Sequence, residues 1–96
     1  MRNLSKTSDE YLEGLQWLVH HEELRGYVPT AITTKDFEMP DGSVEPFMPV
    51  DQIVDILLGI LQAHQDGAIR SPELLRMVPH VRAVLPSYLR VKSKSH

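Results

Sequence analysis

The densest group of side chains able to hold a metal or move a proton is His20-His21-Glu22-Glu23, four ionisable residues in a row. Adjacent residues on a helix point about 100° apart, so the two imidazoles cannot close on one ion. The run also lacks a second histidine four residues beyond His21, which a zinc-protease helix would need, since Arg25 stands there. It reads as polar residues near a helix terminus. Asp51 and Asp55 lie one turn apart, a like-charge pair that would raise a carboxyl pKa if buried. Their simpler reading is a helix cap followed by a first-turn acid. His64 and His80 stand alone, with no nucleophile or acid at a recurring spacing. The chain contains no glycine-rich phosphate loop, no GxSxG elbow and no calcium loop. Zero cysteines exclude disulfides, thiol chemistry and cysteine-type zinc sites. Neither a catalytic residue, a cofactor nor a metal is expected, and the chain reads as a protein that is not an enzyme.

Arginine offers a second chemistry. Arg70, Arg76 and Arg82 follow the apolar segment beginning at Ile53, and a helix-turn-helix over 53–85 would turn them toward phosphates. Three features weigh against it: a long link from Asp66 to Ser71, Pro79 inside the would-be recognition helix, and an acidic chain overall. A small DNA-binding regulator using these arginines is therefore the alternative reading, and nucleic acid is the less favoured partner.

The elements that must position any site are read from periodicity. Thr7 with Glu10 has capping-box spacing, and Tyr11, Leu12, Leu15, Leu18 and Val19 form one stripe, predicting a first helix over 8–25 that Gly26 stops. Trp17 falls off that stripe. Residues 27–50 change to prolines and β-branched residues, and Pro40-Asp41-Gly42 between Phe37/Met39 and Val44/Phe47 predicts a small hairpin. Pro46 and Pro49 mark its later arm as an edge strand or no strand. Asp51 to Gln65 follows as a helix whose apolar residues spread well beyond one face: Ile53, Ile56, Leu57, Ile60 and Leu61, widened by Val54 and Leu58. Asp66-Gly67 closes it. Ser71-Pro72-Glu73 opens the last helical region, which Pro79 and Pro86 are expected to break into short pieces at 72–78, 79–85 and 87–91.

With 96 residues, 42% hydrophobic and 24% charged, the chain is expected to be one domain, 1–96, with flexible ends at 1–6 and 92–96. No apolar run approaches the roughly 20 residues of a membrane span. The first ten residues show no apolar segment or cleavage site of a secretory signal, so a cytoplasmic protein is expected. The net charge of −3 conceals an asymmetry: four Lys/Arg against nine acids in 1–50, and six Lys/Arg against Glu73 alone in 67–96. The fold class is mainly α with minor β, a small helical domain carrying a short hairpin between its first and second helices. Its apolar content exceeds what so short a chain with proline-broken helices is expected to hide. The surplus points to protein binding through Trp17, Phe37, Met39, Phe47, Met48, Val54 and Leu58, with a homodimer, a different protein partner, or both as the cover. The function expected is a small regulator that binds and inhibits a larger protein, such as a transcription factor, by occluding its assembly surface in the manner of an anti-activator.

Overall fold

The computed structural model describes residues 4–93. In chain order these form β1 (Leu4–Lys6), α1 (Asp9–Val19), a one-turn 3-10 helix (Glu22–Leu24), β2 (Lys35–Glu38), β3 (Val44–Pro49), α2 (Val50–Gln65) and α3 (Pro72–Ser93). The architecture is mainly helical with a small antiparallel sheet, as the periodicity implied. Of the expected loose ends, 1–3 and 94–96 lie outside the described residues. Residues 4–6 are instead a strand, and Lys92 and Ser93 are helical.

α2 is the axis of the core. Val50, Ile53, Val54, Ile56, Leu57, Gly59, Ile60 and Ala63 are all buried, so most of its circumference is covered. α3 packs along it, and β3 and the 3-10 helix also contact it. The cover expected from a second molecule is thus largely supplied by the chain itself. Apolar burial at about 25 cal/mol per Å² makes this the largest favourable contribution to the fold. Gly59 is buried because Tyr27 and Val28 cross directly over it: a Cβ there would run into the Tyr27 carbonyl. α2 ends in a Schellman motif, in which Ala68 N–H donates to the Ala63 carbonyl at 2.9 Å and Gly67 N–H to that of His64 at 3.1 Å. Gly67 adopts φ +76°, which glycine reaches without steric cost.

Three local expectations are corrected. Ser8, not Thr7, caps α1, its hydroxyl accepting from Tyr11 N–H at 3.2 Å; Thr7 is buried, its N–H given to the Pro46 carbonyl at 3.0 Å. α1 stops at Val19 rather than Arg25. The His21 imidazole accepts the Glu23 N–H at 3.2 Å and starts the 3-10 turn, which carries Leu24 into the core. Third, α3 is one helix through both prolines, not three pieces. Pro79 and Pro86 are seven residues apart, about two turns, and both are exposed. The carbonyls they leave without a helical donor belong to Leu75 and Arg82, which are themselves exposed, so the lost bonds fall on the solvent side of the helix. Meanwhile Leu74, Val78 and Val81 hold the opposite side against the core.

The start of α3 is held by a side chain from elsewhere. Glu23 accepts from Arg70 N–H and Ser71 N–H, both at 3.1 Å, and from the Ser71 hydroxyl at 2.7 Å. An acid at a helix N-terminus also meets the positive end of the helix dipole. These bonds, the Ser71 hydroxyl first, hold the Glu23 carboxyl below the usual carboxylate range.

Candidate docking surface

The sheet has the order β1-β3-β2, antiparallel throughout, with β3 in the middle. The two prolines that marked this strand as an edge are instead accommodated inside it, and the register shows how. Lys6 pairs with Phe47 and Lys35 also pairs with Phe47. Backbone groups of alternate residues point to alternate neighbours, and the Pro46 carbonyl receives Thr7 N–H, so Pro46 and Met48 face β1 while Glu45, Phe47 and Pro49 face β2. Pro46, lacking an N–H, therefore meets Thr7, just past the end of β1. Pro49 faces the level of Thr33, just before β2 begins. There the Gln52 side chain replaces the missing partner: its amide nitrogen donates to the Thr33 carbonyl at 3.1 Å and its oxygen accepts Thr33 N–H at 2.9 Å.

The same register sorts the side chains. Met48 points inward and is fully buried. Leu4, Lys6, Lys35, Phe37, Glu45, Phe47 and Pro49 share the opposite face. Phe37 and Phe47 meet edge to face, with centroids 5.3 Å apart and planes at 85°, a favoured aromatic geometry. Around them Leu4, Phe37, Glu38, Met39 and Phe47 line a concavity of about 220 Å³. Charge flanks it: Lys6 pairs with Glu45 at 2.8 Å, and Lys35 is exposed on the other side of Phe47. The hairpin that presents this surface turns at Met39–Ser43. Gly42 N–H donates to the Met39 carbonyl, Met39 N–H to that of Ser43, and Asp41 accepts both the Ser43 hydroxyl at 2.6 Å and its N–H at 2.9 Å. Those two bonds lower the Asp41 pKa and stiffen the turn.

The seven residues expected to bind a partner do not form one surface. Phe37, Met39 and Phe47 come together on the sheet. Met48 and Val54, at 0% and 1% exposure, are enclosed in the fold and so are not part of the exposed surface: Met48 lies on the inward face of β3 and Val54 among the buried residues of α2. Trp17 is 45% exposed near the end of α1, its ring edge-on to His21 at 4.9 Å. Leu58, also 45% exposed, lies on the free side of α2 beside a groove of about 690 Å³ lined by Tyr27, Pro29, Asp55, Leu61 and Gln65 among others. At its end the Tyr27 hydroxyl donates to Asp66, and the acceptor raises the tyrosine pKa. Leu4 was missed, since a strand of three residues shows no period against neighbouring polar residues.

The ionisable groups are dispersed or locally engaged. His20 Nδ1 lies 2.8 Å from the Gln16 carbonyl, and His21 serves as a cap. Among the described residues no group of three His, Asp or Glu side chains is placed to hold a metal ion. Arg76 and Arg82 are six residues apart on α3, about 120° around its axis, and Arg82 lies 3.4 Å from His64. No single stripe carries all three arginines. No described helix is long and apolar enough to cross a membrane. Comparison with family models, curated proteins and solved structures gives no match.

Proposed function

We propose that this chain is a small cytoplasmic regulator that works by binding a larger protein rather than by catalysis, occluding that protein's assembly surface as an anti-activator does. One observation carries the reading: Leu4, Phe37, Met39 and Phe47 form an apolar floor on the side of the sheet turned away from the helices, flanked by charge. An apolar centre flanked by charge has the anatomy of a recognition surface, in which desolvated aromatic residues anchor and the rim selects. The acidic first half and basic last third of the chain would steer the encounter.

Phe37→Ser tests this. Proteins retained from lysate by the wild type and lost with Phe37→Ser, but kept with Val44→Ser at an exposed site on the opposite face, support the surface; identical sets for all three overturn it. Inhibition is read on the protein so identified, as a fall in the mass of its own assembly when this chain is added. Self-association is a companion proposal, favoured by the half-exposed Leu58 on the free side of α2.

A further inference from the structure

The register that gives the apolar floor also defines what lies beside it. Lys35 and Phe37 point their backbone groups into β3, so Asp36 and Glu38 point theirs outward, along an edge where no described residue bonds to them. Their side chains are exposed and lie on the face opposite Phe37. β2 therefore presents two N–H and two carbonyl groups in line, with carboxylates on one side and the Phe37/Phe47 floor on the other.

A second copy of β2 cannot fill this edge well. Outward groups must meet outward groups, so antiparallel self-pairing brings Asp36 opposite Asp36, Asp36 opposite Glu38, or Glu38 opposite Glu38. Each register sets acidic residues directly opposite one another, with Cα atoms about 5.5 Å apart, and like charges so placed are destabilising. The same placement that repels a copy attracts the opposite charge.

We infer that β2 accepts an added strand from a partner protein, an extended segment in which Lys or Arg alternates with apolar residues. The basic residues stand opposite Asp36 and Glu38, and the residue between them lies over Phe37 and extends the apolar floor. Backbone hydrogen bonds hold the strand while side-chain alternation selects it. This rests on the sheet being the docking surface and names what docks there.

The test uses the full chain, isotope-labelled, titrated with a blocked octapeptide alternating valine and lysine, and with one alternating valine and glutamate. Strand addition predicts hydrogen-exchange protection appearing at the Asp36 and Glu38 amides, and weaker or no binding of the glutamate peptide. It also predicts about tenfold weaker lysine-peptide binding to the double variant Asp36→Asn/Glu38→Gln. Asp36→Pro, which removes an outward N–H and leaves the β2–β3 ladder intact, abolishes the protection. Equal binding of the two peptides, or binding indifferent to these variants, overturns the proposal. Shifts at Phe37, Met39 and Phe47 without edge protection overturn strand addition alone and leave the docking surface standing. No response anywhere in the sheet also overturns it, and the surface itself is then decided by the Phe37→Ser comparison.

Discussion

At the scale of single residues, Glu23 shows how one carboxylate joins two distant parts of the chain. It lies in the 3-10 helix yet receives three donors at the start of α3. Its carboxyl is held below the usual range in the folded state, so its stabilisation is complete above the unfolded value and is lost as pH falls through the folded one. Glu23→Gln should therefore lower the melting temperature at neutral pH, and the gap from wild type should close on acidification below the carboxylate range. Thermal melts across that range check it; a gap that stays constant would remove the charge from the account. Gly59 is the other such residue. With the Tyr27 carbonyl where its Cβ would stand, Gly59→Ala should cost about 1–3 kcal/mol, read from denaturant midpoints, because backbone on both sides must shift. Periodicity alone gives Gly59 no apolar role in α2, and nothing in its neighbours announces a crossing chain 32 positions earlier.

At the scale of elements, α3 sets the intrinsic cost of proline against packing. Both prolines lie on the exposed side, so each removes a hydrogen bond where water can replace it. The residual strain predicts that Pro79→Ala stabilises the chain by about 1–2 kcal/mol, after allowing for the extra freedom alanine gives the unfolded state. A calorimetric melt reads this, and a lower melting temperature would show that the ring itself packs. Elements with a long period were legible: α2 over nearly its full length, the hairpin and its Pro40-Asp41-Gly42 turn, and the start of α3. Those decided by a single local side-chain bond or by partners far along the chain were not. α1 ends where the His21 imidazole finds the Glu23 amide, β1 exists because β3 pairs with it, and β3 is central because its two prolines face places where the neighbouring strands have stopped. Of the candidate site, the Phe37, Met39 and Phe47 cluster followed from alternation around the turn. The assignment of Met48 and Val54 did not, since apolar character alone cannot tell which side of a strand or helix the core will take.

On the scale of the whole molecule, extents of 46 × 27 × 20 Å reflect a long α3 laid against a shorter α2, with Lys92 3.6 Å from Asp51 where the two helices meet at the far end. Most apolar side chains are enclosed within this one chain, so self-association has to rest on what remains outside. Leu58→Asp should abolish any concentration-dependent rise in sedimenting mass while leaving the helical circular-dichroism signal unchanged. A mass that rises equally for both forms would place the contact elsewhere. Strand and helix adjoin without a connecting residue between Pro49 and Val50, and Gln52 reaches back from the helix to clasp Thr33 ahead of β2. The hairpin is consequently braced like a bracket with two fixings, and a molecule that seized its tip would pull on the body of the protein through a stiff lever instead of a slack tether.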